Sequence, residues 1–180
     1  MSLLDVRILG WFKAPFQNGD AFWSRDGIAQ PLCSAFPAFS TDPYAMKTKS
    51  FLELADLKTI AAACEAEAVK NGWAVTIAIV DDGGHLLWLQ RLDGAAPISS
   101  HIAPAKANTA AVGRRESKVY EDVINGGRMS FLSAPDLKGL LEGGVPILKD
   151  GNVIGAVGVS GVKSNEDAQI ARAGIAALGL

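Results

Sequence analysis

The residues of this chain best suited to chemistry are two histidines, a lysine set among small apolar residues, a pair of arginines and two glycine clusters. His101 opens a helical run, where unpaired N–H groups and the positive end of the helix dipole suit a neutral imidazole that coordinates a metal or acts as a base. The plain alternative is a histidine that caps its helix. Lys106 is the one cation in the small, apolar stretch from Ile102 to Val112. A lysine in such a place either snorkels to solvent or points its ammonium at an anion in a pocket.

His85 follows a turn and begins a strand, which needs no special role. Asp81, Asp82 and His85 together have the outline of a metal site, yet Gly-Gly after an acidic pair at a strand end is hairpin chemistry. Arg114 and Arg115 close a helix, and one of them suffices to complement its dipole. The other, Arg115, has the planar fork that suits a carboxylate. Gly143-Gly144 before Val145-Pro146, and Gly158-Val159-Ser160-Gly161, allow backbone N–H groups to approach a ligand and form an anion nest. Gly144, Val145, Ser160 and Gly161 are therefore candidate contacts, with a sharp turn or a bulge as the equal alternative. No CxxC, HExxH or spaced histidine cluster is present, so neither a structural zinc site nor another metal is expected from spacing alone.

Regular elements must position these groups. Phe51 to Leu54 alternates as a short strand or extended lead-in, and Asp56 to Lys70 is an amphipathic helix stopped at Asn71-Gly72. Ala74 to Val80 is a buried strand, Asp81 to Gly84 a turn, and His85 to Leu92 the returning strand. Pro104 is cheap only in a first helical turn, so the next helix is expected from about His101, with Ser99 and Ser100 leading in and Gly113 ending it. Ser117 to Ile124 is a shorter helix. Gly143 to Leu148 and Val153 to Val159 form a second hairpin about Asp150-Gly151. Asn165 to Leu178 closes the chain as a helix, with Ser164 as its cap and Asp167 in its first turn. The order αββααββα replaces crossovers with hairpins. It predicts an α+β fold, a central antiparallel sheet with helices packed on it.

The first 45 residues differ, holding two of four Trp, five of seven Phe and four of eight Pro with no sustained period. Two readings stand side by side: an aromatic arm that docks on this subunit or a neighbour, or a non-native extension ahead of a start at Met46. The domain proper is then 46–180. Hydrophobic residues make up 49% and charged residues 20%, as in a soluble globular protein. A net charge of −2 with scattered basic residues speaks against a nucleic-acid partner. No stretch reaches the roughly 18 apolar residues of a membrane span, and the N-terminus lacks a charged region followed by an apolar core, so a cytoplasmic protein is expected. Cys64 lies in an alanine-rich helical run, where a buried reduced thiol is expected.

Five strings, in this order, carry a family resemblance. They are Ile79-Val80-Asp81-Asp82-Gly83-Gly84-His85-Leu86, Arg91-Leu92-Asp93-Gly94-Ala95, Ile102-Ala103-Pro104-Ala105-Lys106-Ala107-Asn108-Thr109-Ala110, Gly143-Gly144-Val145-Pro146-Ile147, and Gly155-Ala156-Val157-Gly158-Val159-Ser160-Gly161. Together they resemble the GlcG/HbpS family from about Met46 onward. The resemblance implies a profilin-like α+β fold assembled as dimers or larger symmetric oligomers. It also implies a small-molecule ligand, which is haem in some relatives, and its pattern places a lysine at Lys106, which favours a ligand role there.

Three functions are weighed. The first is a haem- or tetrapyrrole-type binding protein, with His101 or His85 approaching the iron and Lys106 or Arg115 the propionates. The second is a cofactor-independent lyase, isomerase or hydratase on a small carboxylate or carbonyl metabolite, with His101 as base and Lys106 as its electrostatic partner. The third is an accessory assembly subunit whose aromatic arm buries against a partner. The haem-related reading leads.

Overall fold

A computed structural model of the chain describes Met46 and residues 48–180. The aromatic arm or extension, and Cys33 with it, lie outside the described residues. The elements are α1 (Leu54–Asn71), β1 (Thr76–Asp81), β2 (Leu86–Arg91), α2 (Ser99–Gly113), α3 (Lys118–Asn125), a 3-10 turn (Met129–Ser133), β3 (Gly144–Lys149), β4 (Asn152–Ser160) and α4 (Ser164–Ala176). The expected order αββααββα holds. The strands form one antiparallel sheet in the order β2-β1-β4-β3, so the two hairpins join through β1 and β4.

Strand alternation sorts the residues onto two faces. Ile77, Ile79, Val157 and Val159 cluster with Leu57, Ile60 and Cys64 of α1 and Ile170 of α4. On the other face Val80 and Ala156 meet Ala107, Ala110 and Ala111 of α2. That second face is built of small residues, which lets α2 lie close to the sheet. A Cβ on Gly158 would collide with the Ala103 carbonyl and the Ala107 N–H, and one on Gly144 with the Lys106 carbonyl. The alanine-rich helix and the strand glycines are thus one packing device.

Local chemistry sets several boundaries differently from the sequence reading. Helix α1 starts at Leu54, because Asp56 accepts the Glu53 N–H at 2.9 Å and closes the first turn there; residues 51–53 form no strand. Helix α2 starts at Ser99, with Pro104 inside it. Its opening turn is held by short-range bonds, Ser99 N–H to Ala96 C=O at 2.9 Å and His101 N–H to Ile98 C=O at 3.0 Å. The proline then removes only the bond to the Ser100 carbonyl. Gly113 stays helical and Arg114 takes the left-handed cap at φ 53°. Gly113 is needed for space: the Tyr120 ring occupies the position of its missing side chain. Helix α4 is capped by the Glu166 carboxylate accepting the Lys163 N–H at 3.1 Å, with Ser164 already helical, and it ends at Ala176.

The β3–β4 turn has Asp150 at φ 50° and Gly151 at φ 75°, the two positive angles a tight hairpin requires. At the opposite edge of the sheet, the β1–β2 register slips between Ile79 and Val80. The slip puts Leu86 opposite Val80, while Leu89 pairs with Ala78 in the register before it, and the two leucines are 51% and 46% exposed on an edge strand.

Candidate functional site

The β1–β2 turn is organised by one carboxylate. Asp81 Oδ1 accepts the Gly83 N–H at 2.9 Å and the His85 N–H at 2.8 Å, while its Oδ2 lies 3.1 Å from His85 Nδ1. Burial alone would raise the Asp81 carboxyl. The bonds from the His85 N–H, the imidazole and the Gly83 N–H outweigh it and hold the group below the usual carboxylate range. A Cβ on Gly83 would come within 2.9 Å of the imidazole Cε1, so the ring occupies space that a side chain there would need.

The turn is fastened to α2. Asn108 Nδ2 donates to the Gly84 carbonyl at 3.2 Å. Gly84 adopts φ 81° and a Cβ there would collide with the Asn108 amide, so both its angle and its clearance call for glycine. On the far side, the Gly139 N–H donates to Thr109 Oγ1 at 3.1 Å, and Gly139 lies directly on the backbone of Ala105 and Lys106. This contact carries Asp136 and Lys138 over α2.

Between these walls lies a cleft of about 600 Å³. Gly83, Gly84 and His85 form one wall, Asp136 and Lys138 the other, and Pro104, Ala105, Asn108 and Val112 of α2 the floor. The volume falls within the range of about 300–1,000 Å³ typical of ligand sites, and an apolar floor with a few polar groups is the usual lining. Smaller clefts of about 390 Å³ beside Trp73 and about 310 Å³ beside Leu140 carry no imidazole.

Of the residues singled out in the sequence, His85 lines the large cleft. His101 is exposed, lines none of the described clefts, and its ring makes no hydrogen bond among the described residues. Lys106 neither snorkels nor faces a described cleft: its ammonium is buried, 2.8 Å from Asp167 Oδ2 and 3.1 Å from the Val159 carbonyl. Burial raises the Asp167 carboxyl, and the bond and charge of Lys106 work against that rise. Arg115 is exposed, donating from Nε to the Gly113 carbonyl at 3.2 Å and standing 5.6 Å over the Tyr120 ring.

The glycine segments are closely packed. The Gly144 N–H, which an anion nest would use, donates to Ser117 Oγ at 2.9 Å. Val145 belongs to the core, Ser160 is buried at the end of β4, and Gly161 lies against the backbone of Ala74 and Val75. Sequence reasoning passed over Asn108, Asp136 and Lys138. Asn108 left one signal, as the lone amide side chain of an alanine-rich helix. Among the described residues, no group of three His, Cys, Asp or Glu is placed to hold a bare metal ion, and no helix is long and apolar enough to cross a membrane.

Fold and cleft together define an α+β domain of four antiparallel strands with a ligand-sized cleft beside its first hairpin. The family model described as "Haem degrading protein HbpS-like" matches residues 52–176, and the chain belongs to that family. It is 56% identical over 115 residues to Protein GlcG of Escherichia coli (strain K12), an alignment covering 64% of this chain and 85% of that protein. Among solved structures it is similar to HbpS, with a TM-score of 0.69 and 32% identity over 75% of this chain and 95% of that one. It is also similar to the PduOC:Heme complex, with a TM-score of 0.65 and 29% identity over 71% of this chain and 95% of that one. The family resemblance read from the five strings, and the α+β fold it implied, both hold.

Proposed function

We propose that this protein binds a haem-type tetrapyrrole in the cleft between the β1–β2 turn and α2. The observation that carries the reading is the cleft itself, about 600 Å³ with an apolar floor, an imidazole on one wall and a lysine on the other. A macrocycle needs an apolar surface to lie on, which Pro104, Ala105 and Val112 supply. Its carboxylates need a cation, which Lys138 supplies. When bound, the macrocycle's metal supplies the coordination and redox chemistry, and the protein supplies binding and orientation. Membership of a haem-named family and likeness to a relative solved with heme support the same ligand. A homo-oligomer belongs to this reading, because Leu86 and Leu89 stand exposed on an edge strand that is unpaired on its outer side among the described residues.

Absorbance titration with haemin tests it. The full chain takes up haemin saturably at one equivalent per subunit. Ala105→Trp, which fills the floor of the cleft, loses that uptake while keeping its circular dichroism spectrum. Uptake that is unsaturable, or indifferent to Ala105→Trp, would sink the reading and leave the small-carboxylate enzyme in its place.

A further inference from the structure

We infer that Asp81 and His85 form a built-in ligand pair, in which His85 Nε2 coordinates the metal of the bound macrocycle and Asp81 fixes the ring that does so. The inference rests on the tetrapyrrole reading and assigns the residue that meets the metal. The geometry of the turn and its tether to α2 converge on it.

The imidazole uses one nitrogen inward. Nδ1 is within hydrogen-bonding distance of both Asp81 oxygens, 3.2 Å from Oδ1 and 3.1 Å from Oδ2. An anionic carboxylate accepts there, so Nδ1 bears the hydrogen, and in the neutral ring Nε2 is the nitrogen with the free lone pair. A histidine that donates its second N–H to a carboxylate is the usual arrangement of a metal-bound imidazole, since the outer partner sets both tautomer and ring orientation. The His85 side chain is 81% exposed, so Nε2 is open to a large planar ligand.

Asp81 is itself held in place. The N–H groups of Gly83 and His85 both donate to its Oδ1, so the carboxylate cannot swing away without opening the turn. Gly83 gives the ring its clearance, since any side chain there would meet Cε1 and Nδ1. Asn108 then ties the turn to α2 through the Gly84 carbonyl, and His85 lines the wall of the cleft. A histidine serving only its hairpin needs none of this: the two backbone bonds to Asp81 already close the turn.

His101 is the internal comparison. It is the chain's other imidazole and is likewise exposed, yet among the described residues no carboxylate bonds to its ring and it lines no described cleft. Asp81 acts as a positioning residue, because it touches the ring and not the metal.

The experiment is haemin binding to the full chain and to His85→Ala, Asp81→Asn and His101→Ala, followed by absorbance and by electron paramagnetic resonance. The wild-type and His101→Ala complexes share one imidazole-ligated spectrum. His85→Ala loses that spectrum, and millimolar free imidazole restores it, which a merely structural histidine would not allow. Asp81→Asn keeps an imidazole ligand but binds haemin about 10–100-fold more weakly, the usual effect of losing an outer-shell partner. A His85→Ala complex with an unchanged spectrum overturns the assignment while leaving the tetrapyrrole reading intact. Failure of the wild type to bind haemin overturns both, and circular dichroism of each variant separates loss of ligation from loss of fold.

Discussion

The Lys106 ammonium lies 2.8 Å from the Asp167 carboxylate, with the two side chains only 3% and 2% exposed. The pair ties α2 to α4 across the end of β4. Each partner has a further local bond, since Lys106 also donates to the Val159 carbonyl and Asp167 accepts the Val162 N–H at 3.2 Å. Gly143 makes this possible, because a Cβ there would come within 2.7 Å of the Lys106 nitrogen. Removing one partner leaves the other charged and buried, which costs about 3–5 kcal/mol. Lys106→Met and Asp167→Leu should each lower stability on that scale in urea denaturation. The double variant should recover part of the loss, and a strictly additive pair of losses would mean that the two groups do not act together.

Acid should act through Asp81. Its folded carboxyl sits below the unfolded value, so the stability it contributes is present above about pH 4 and lost as pH falls through the folded value. The stability difference between wild type and Asp81→Asn should therefore be largest near neutrality and shrink below pH 4. A difference constant from pH 7 to pH 3 would contradict the turn geometry described above.

Cys64 should be inert in the native protein. Burial pushes its thiol up to about 12, against a smaller lowering by the Gly174 backbone, and its Sγ lies 3.4 Å from the Ile170 carbonyl. At pH 8 the thiolate population is negligible. Mass spectrometry after alkylation should find the Cys64 peptide unmodified until denaturant is added. Modification at the same rate with and without denaturant would place that thiol outside the core.

Strand glycines make a further distinction between packing and ligand contact. Gly144→Ala and Gly158→Ala each force a methyl into the backbone of α2, and overpacking of this kind costs about 1–3 kcal/mol or more. Both variants should be destabilised in the absence of any ligand. Native stability with impaired ligand binding would instead assign Gly144 to the site.

Much of the fold was legible because its signals are local. Asp81 to Gly84 and Asp150-Gly151 each announce a hairpin in a few residues, and two hairpins imply an antiparallel sheet. Helix limits were less legible, since Pro104 pointed to a later start than Ser99 and the short-range bonds that carry the earlier one leave no residue signature. The Lys106–Asp167 pair was invisible because its members are 61 residues apart, and only packing of α2 and α4 on one strand end brings them together. Lys138 and Asp136 lie in an irregular segment with no period to read. His85 was legible as a turn residue, while its bond to Asp81 depends on how the turn folds back, which spacing does not specify.

Backbone amide mapping of the full chain with zinc protoporphyrin, a diamagnetic tetrapyrrole, tests the central claim most directly. The account predicts saturable shifts concentrated at Gly83, Gly84, His85, Ala105, Asn108 and Lys138, with β3 and the β3–β4 turn unmoved. Shifts centred on His101 or on the β3–β4 turn, or no saturable shift, would contradict it.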